Sequence, residues 1–324
     1  MSALFRLFRS EYLVLLLSGL LLIVLAPFTP GLLSAQNAGD LLANLSPLLI
    51  VALGQTIVLI ACGIDLSVTS IIALTSIAGG FVMNGANGWL KEHLLAVPAG
   101  ITVMLLLGTA VGAINGLAVA KLRMPAFIVT LTTMMFFSGL AIWLTKSKGM
   151  ADLPPSFTSL GSNLWITLLI AVGFAGAIHA LLARSLFGRW LYAVGHNART
   201  AHVSGVPVDG VLVGAYMASG FLAAAASVLY TARLETSSPV LGQRILLDII
   251  GATVIGGTSL FGGKGKVAWT VGGVLFLTLL DNALILRGLS HFSIMMIKGG
   301  VILFAALLDA LRNRALSRDS LSAA

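Results

Sequence analysis

Apolar positions in this chain come in long unbroken blocks, with the polar positions gathered between them. The period-2 alternation that a membrane strand would need is absent, which excludes a β-barrel. A helix needs about 20 apolar residues to cross a hydrocarbon layer of roughly 30 Å, and backbone groups inside that layer must bond within the segment. The pattern predicts ten spans, at 12–28, 39–61, 66–84, 94–119, 125–144, 164–183, 208–231, 246–257, 267–286 and 293–311, the eighth being short. The expected fold is an all-α polytopic membrane protein of about ten transmembrane helices, a single domain over 1–324. The first run follows Arg6 and Arg9 as in a secretory leader, yet it exceeds a typical apolar leader segment and no A-x-A site follows, so it reads as a retained first helix.

Composition agrees: 58% of the 324 residues are apolar and 9% charged, against roughly 25% charged in a soluble domain. Such a chain cannot cover a water-facing surface, and no polar block is long enough for a separate globular unit. The formal charge of +8 does not point to nucleic acid, because the basic residues sit between apolar runs without interleaved aromatics. Membrane topology explains them. An even number of spans puts both termini on one side, and the Lys/Arg bias identifies it as cytoplasmic. Twelve basic residues (Arg6, Arg9, Lys121, Arg123, Arg184, Arg189, Arg199, Lys264, Lys266, Arg312, Arg314, Arg318) then fall inside and six (Lys91, Lys146, Lys148, Arg233, Arg244, Arg287) outside. Losing one span would scatter them over both faces. The single Cys62 allows no intrachain disulfide, and no CxxC or His-rich neighbour suggests a metal.

The outer loops are short and carry the turn formers Pro30-Gly31, Asn84-Gly85, Pro154-Pro155 and Pro239. No extracellular domain is expected, so high-affinity capture of a substrate falls to a partner. Gly112-Ala-Ile-Asn115-Gly-Leu117, followed by Pro125 and Phe127, parallels Leu279-Leu-Asp281-Asn282-Ala-Leu284, followed by Phe292. The copies lie five helices apart, so they would be oppositely oriented, an inverted internal repeat of the kind found in transporters. Chance similarity between apolar segments accounts for the parallel equally well.

The loop at about 184–207 contains Gly195-His-Asn197-Ala198-Arg199-Thr-Ala201-His202-Val-Ser204-Gly205-Val-Pro207. It predicts a short free-standing helix: Asn197 caps its first turn, Gly205 takes the left-handed position at its end, and Pro207 blocks continuation. Ala198, Ala201 and Ser204 would form a small-residue face for another protein, with Arg199 and His202 projecting elsewhere. An ordinary capped loop helix is the plainer alternative. This loop resembles the coupling-helix segment of the permeases of bacterial monosaccharide importers, the ribose, arabinose, galactose and xylose group of the ATP-binding-cassette superfamily. Other segments agree in order. Gly63-Ile-Asp-Leu-Ser-Val68 resembles that family's GIDLSVG signature, Pro125-Ala-Phe-Ile-Val-Thr-Leu131 its P-x-FIVTL segment, and 248–266 its D-x-I-x-A-x-VIGGTSLFGGKG run. Ile297 through Asp309 is similar to its closing helix.

Cys62 departs from the family's Gly before GIDLS, Thr69 from the Gly after it, and Leu246 from the Glu ahead of the Asp. The resemblance implies a permease subunit of an ATP-driven importer of a small sugar, pentose or hexose, working by alternating access in the bacterial inner membrane. It implies as partners a cytoplasmic ATP-binding-cassette ATPase, a second permease subunit, alike or a sister, and a periplasmic sugar-binding protein. The ATPase-coupling set would be Gly195, Asn197, Ala198, Arg199, Ala201, Ser204 and Gly205. ATP and Mg would be bound by the partner ATPase, with no cofactor on this chain. Consistently, Gly257-Thr-Ser-Leu-Phe-Gly262-Gly-Lys264 fails the phosphate-loop pattern: Gly263 occupies the lysine position and no Ser or Thr follows Lys264. It reads as a glycine turn.

Charges at membrane depth are costly and usually face protein or water. Asp65 precedes Leu66-Ser67-Val68 and is expected as a helix N-cap. Asp248 opens the short eighth helix and suits its N-terminus. Asp281 and Lys298 lie on adjacent helices near the outer side and could pair. Gly108, Gly112 and Gly116, at i, i+4 spacing, and Gly272-Gly273 suit close helix packing. Sugar sites combine aromatic faces with amides and hydroxyls, which makes Gln55, Asn115, Phe127, Thr130 and Asn282 the candidate substrate path. The alternative from another class is an ion-coupled secondary carrier acting without an ATPase, against which these carboxylates lie near helix ends. An embedded enzyme has no support, since His93, His179, His196, His202 and His291 are scattered outside any H-E-x-x-H or G-x-S-x-G context.

Overall fold

A computed structural model describes residues 13–91 and 93–322, with side chains described for 14–91 and 93–307. Arg6, Arg9 and Tyr12 therefore lie outside the described residues, and Asp309, Arg312, Arg314 and Arg318 outside the described side chains. The described residues form thirteen α-helices and no strand: α1 Leu13–Leu25, α2 Ala35–Ile60, α3 Val68–Met83, α4 Ala96–Ala120, α5 Ala126–Thr145, α6 Pro155–Ser162, α7 Leu164–Arg184, α8 Leu186–His196, α9 Ala198–Val203, α10 Val208–Leu234, α11 Leu246–Gly256, α12 Val267–Leu286 and α13 His291–Ser322. A 3-10 turn, Ala26–Phe28, extends α1.

Every predicted span falls on a helix. Six helices, α2, α4, α5, α7, α10 and α12, are long and apolar enough to cross a membrane, and α1, α3, α11 and the apolar part of α13 are shorter. Two helices went unpredicted. Pro154-Pro155, read as a stop signal, instead begins α6, because the fixed φ of proline suits the first helical turn, where no amide donor is needed. The second, α8, is described below.

Burial separates the helices into a core and a shell. α2 is almost wholly buried, whereas α5 and α7 leave most of their apolar surface on the outside, as helices facing lipid do. Because hydrocarbon is as apolar as leucine, contact between helices here depends on close backbone approach. The glycine stripe of α4 supplies it against α10. A Cβ at Gly108 or Gly112 would collide with the carbonyl oxygens of Gly220 and Tyr216, and at Gly116 it would stand 2.7 Å from the Val213 Cα. Gly273 of α12 meets the Ala252 carbonyl of α11 in the same way, whereas a Cβ at Gly272 would lie 3.4 Å from the Leu15 side chain.

Contacts sort the connecting segments into two ends. Residues 60–67, 121–125, 184–208 and 257–266 share one end, tied by Gly263 N–H to Ile60 O at 2.9 Å and by Lys121 to Asp209 at 3.2 Å. The other end joins Gly85 to Asp152 and Met150 to Ser237 by backbone bonds. The Asn84 amide there donates to the Ala151 carbonyl.

Candidate functional site

The 184–207 segment folds as two helices rather than one. Ser185 Oγ accepts from Gly188 N–H at 2.9 Å and starts α8, a helix the sequence signals by this Ser ahead of the buried Leu191, Val194 and Gly195. At Asn197 the backbone becomes extended, with φ −161°, and the chain turns into α9. Asn197 Oδ1 accepts from Thr200 N–H at 2.9 Å, the expected cap. Gly205 at φ +84° closes α9: its N–H bonds to His202 O and Val206 N–H to Ala201 O, both at 3.0 Å. This paired closure requires a left-handed residue, which glycine supplies without strain.

The small-residue face differs from expectation. Ala201 is buried against its own chain, because the Asn197 turn lays α9 on α8 and α10. Ser204 turns its hydroxyl back onto Thr200 O at 2.9 Å. The exposed surface of α9 consists of Ala198, Arg199, Thr200, His202 and Val203, the last 82% accessible.

Beneath this surface three segments meet at backbone contact. A Cβ on Gly195 would overlap the Ile60 carbonyl oxygen at the end of α2 and lie 2.7 Å from Gly263 N. The same Ile60 oxygen accepts from Gly263 N–H. Tyr192 donates from its hydroxyl to Gly265 O at 2.7 Å, and burial pushes its phenol up, so that it keeps its proton. Cys62, at φ +63°, abuts Gly262, whose Cβ would stand 2.6 Å from the Cys62 Cβ. The glycine turn 257–266 is internally bonded through Ser259 N–H to Lys264 O and Gly262 N–H to Ser259 O. Gly195 therefore holds α8 to the turn and to α2, a role that spacing along the sequence could not reveal.

Deeper at the same end, Asp65 is fully buried. Instead of capping α3, it accepts from Ser67 N–H at 3.0 Å and Ser67 Oγ at 2.6 Å through one oxygen. Its other oxygen accepts from Ser219 Oγ of α10 at 2.8 Å. Ser67 occupies the cap position, at φ −72° and ψ −12° and without a side-chain capping bond, so Asp65 lies two residues ahead of the cap and α3 begins at Val68. Asn115 donates to Ser67 Oγ at 2.8 Å, and Thr130 to Ala126 O at 2.8 Å, with Ile64 O 3.3 Å away. Asp65, Asn115 and Thr130 thus gather around one loop and lock α3, α4, α5 and α10 to it.

The other candidate path residues lie elsewhere. Phe127 is 54% exposed on the shell. Gln55 is completely buried on α2, and neither its amide oxygen nor its nitrogen finds a partner among the described residues. Asn282 exchanges two amide bonds with Asn37, at 2.8 and 2.9 Å, at the end opposite α9.

Near that opposite end Lys298 pairs with Asp281 at 2.9 Å, as expected, and also with Asp248, its ammonium lying 2.9 and 3.0 Å from the two oxygens. Asp248 does stand in the first turn of α11, but its carboxylate is engaged by α13. The three residues border a cavity of about 300 Å³ between α2, α10, α11, α12 and α13, shared with Asn44, Tyr230, Thr278 and Asn282. Among the described residues, no group of three His, Cys, Asp or Glu is placed to hold a metal.

Residues 37–306 match the protein family described as branched-chain amino acid transport system / permease component. The chain is 35% identical over 298 residues to the ribose import permease protein RbsC of Haemophilus influenzae, covering 90% of each. It is 36% identical over 300 residues to the Bacillus subtilis protein of the same name, covering 90% of this chain and 89% of that one. To the autoinducer 2 import system permease protein LsrC of an Enterobacter species it is 34% identical over 299 residues, covering 91% of this chain and 85% of the other. No solved structure matches it.

Proposed function

Because the chain belongs to the branched-chain amino acid transport system permease family, as a permease subunit of bacterial ATP-binding-cassette monosaccharide importers, we propose that it carries a pentose, a hexose or a related furanose signal molecule into the cytoplasm by alternating access. Two permease subunits, alike or sister chains, join a cytoplasmic ATPase that binds ATP and Mg, and a periplasmic sugar-binding protein delivers the cargo. The chain crosses the inner membrane ten times with both termini inside and an inverted internal repeat. The α9 end is then cytoplasmic.

The observation that carries this reading is the form of α8 and α9. α9 is short, capped at both ends and exposed on Ala198, Arg199, His202 and Val203, while α8 is fastened by Gly195 and Tyr192 to α2 and the glycine turn. A helix so mounted passes a push from a bound ATPase to the helices behind it. The ATPase lies against the exposed residues, with Asn197 and Gly205 setting the shape of α9 and Ala201 seating it.

Affinity purification of the tagged protein in mild detergent, with an ATPase assay of whatever accompanies it, tests the proposal. An ATPase is expected to co-purify and to be lost from the paired variant Ala198→Trp, Val203→Asp at unchanged membrane abundance. Both positions are exposed, so the fold survives the change. A solitary permease that moves sugar in liposomes under an ion gradient alone would replace this reading with that of a secondary carrier.

A further inference from the structure

A second hollow lies on the shell of the molecule, away from the charges around Lys298. It is a groove of about 200 Å³ between α1 and α12, walled by Val14 and Leu15 of the one and by Ala268, Trp269 and Gly272 of the other, with the exposed Lys266 in its lining. Lys266 immediately precedes α12, and its ammonium lies over the Trp269 ring, 5.2 Å from the centroid. From Lys266 to Gly272 a helix rises about 9 Å. The groove therefore runs inward from the end of a membrane span, the depth at which tryptophan and lysine settle. Its outer end is cationic and its inner end wholly apolar. We propose that it holds one anionic phospholipid of the inner leaflet, with the phosphate at Lys266 and the first methylenes of a chain against Trp269, Leu15 and Gly272.

Charge and shape select that occupant. Among the described residues of the α9 end, seven lysines and arginines are exposed against one exposed acid, Asp209, which Lys121 already pairs. Basic side chains at this depth attract the anionic lipids of the cytoplasmic leaflet. An ammonium carries three donors, so contact with the Trp269 ring is compatible with a bond to a phosphate oxygen. The groove opens outward on the exposed Ala268 and on Leu15, 42% accessible, so lipid reaches it without any helix moving. Its volume is below that of pockets for drug-sized ligands, which suits a headgroup and a few methylenes while the rest of the lipid stays in the bilayer. Gly272 keeps the inner end open, since even a Cβ there would stand 3.4 Å from the Leu15 side chain. Because α1 packs mainly on α12, a lipid in this seam fastens α1 to the helix that leaves the glycine turn.

The inference rests on the importer reading for the side of the membrane, since that reading makes the α9 end cytoplasmic. Native mass spectrometry of the full-length protein, released from detergent containing phosphatidylglycerol or phosphatidylcholine of matched chains, tests it. One phosphatidylglycerol per chain is expected to be retained in preference to phosphatidylcholine. Lys266→Met is expected to weaken that retention about tenfold, the loss of a hydrogen bond to a charged group, and Lys264→Met, which lies outside the groove, to leave it nearly unchanged. Ala268→Phe fills the groove from an exposed position without altering charge; it is expected to abolish the preference while melting like the parent in lipid-free detergent. Equal retention of the two lipids, equal losses for Lys264→Met and Lys266→Met, or retention indifferent to Ala268→Phe overturns the assignment. Stabilisation by inorganic phosphate that matches that by phosphatidylglycerol gives the groove to a soluble anion and overturns it too. Selective retention by a permease that recruits no ATPase upholds the groove and refutes the importer; a complex that imports sugar with ATP but retains no lipid selectively does the reverse.

Discussion

Gly195→Ala places one methyl group where α8, α2 and the glycine turn meet, and its consequence can be worked from the geometry. The added Cβ overlaps the Ile60 carbonyl oxygen and stands 2.7 Å from Gly263 N. Both neighbours are backbone atoms, so no side chain can swing away, and α8 has to lift by about an ångström or more. Inserting a methyl into a packed site costs roughly 1–3 kcal/mol. The lift also loosens the Gly263 to Ile60 bond of 2.9 Å, worth about 1 kcal/mol. A total of roughly 2–4 kcal/mol against the seated arrangement would deplete it by about 30-fold or more. The assay is ATP-driven uptake by proteoliposomes containing the complex, at equal permease content, with thermal melting of the detergent-purified protein alongside. Gly176→Ala on α7 is the control, because its Cβ would meet nothing within 4 Å and alanine favours a helix over glycine by roughly 0.5–1 kcal/mol. Uptake is expected to collapse for Gly195→Ala, with ATPase activity no longer responding to the loaded binding protein, and to persist for Gly176→Ala. Two variants that melt and import alike would refute the argument that α8 is fixed at Gly195.

Three further outcomes follow from particular contacts. Gly112→Ala forces α4 away from the Tyr216 carbonyl of α10 and is expected to cost roughly 1–3 kcal/mol, read as a lower melting temperature in detergent. Lys298→Met leaves Asp248 and Asp281 facing each other without their cation, a loss of about 3–5 kcal/mol for a broken buried pair; membrane abundance is expected to fall, and to recover when Asp248→Asn and Asp281→Asn are added. Asp65→Asn turns one of the two oxygens that accept three hydrogen bonds into an NH2 donor, leaving at least one of them without an acceptor. It is expected to destabilise by roughly 1–3 kcal/mol, visible as faster proteolysis in the 61–67 loop.

The sequence was most legible where local chemistry decides the conformation. Apolar block length placed all ten spans on helices, and Asn197 with Gly205 foretold both ends of α9, because a cap and a left-handed residue act within a few positions of themselves. The glycine stripe of α4 declared close packing, though not that α10 would fill it. Pairings across long stretches of sequence were hidden. Nothing near Lys298 indicates that its second carboxylate is Asp248, 50 positions away, and nothing near Gly195 names Ile60 as its neighbour. The candidate path residues were selected by type alone. Type cannot distinguish an amide paired across the bundle, as Asn282 is with Asn37, from one without a partner among the described residues, as Gln55 is.

The short helix α11 joins the two regions that matter most. Eleven residues rise about 16 Å, so it spans roughly half of a hydrocarbon layer. Its first turn carries Asp248 at the cavity. Its last residue, Gly256, lies on the Trp269 carbonyl of α12 and leads into the glycine turn that touches Gly195. Close contact at both Gly256 and Gly273 leaves α11 no slack against α12, so the pair responds to a displacement as one body. On the proposed importer reading, a push on α9 would pass through α8 and the glycine turn into this pair, whose far end holds two of the three charges around the cavity. Alternating access, as proposed for this chain, would require a force received at one membrane face to alter a polar site nearer the other. In this chain a half-helix clamped to its neighbour by glycine contacts lies between them.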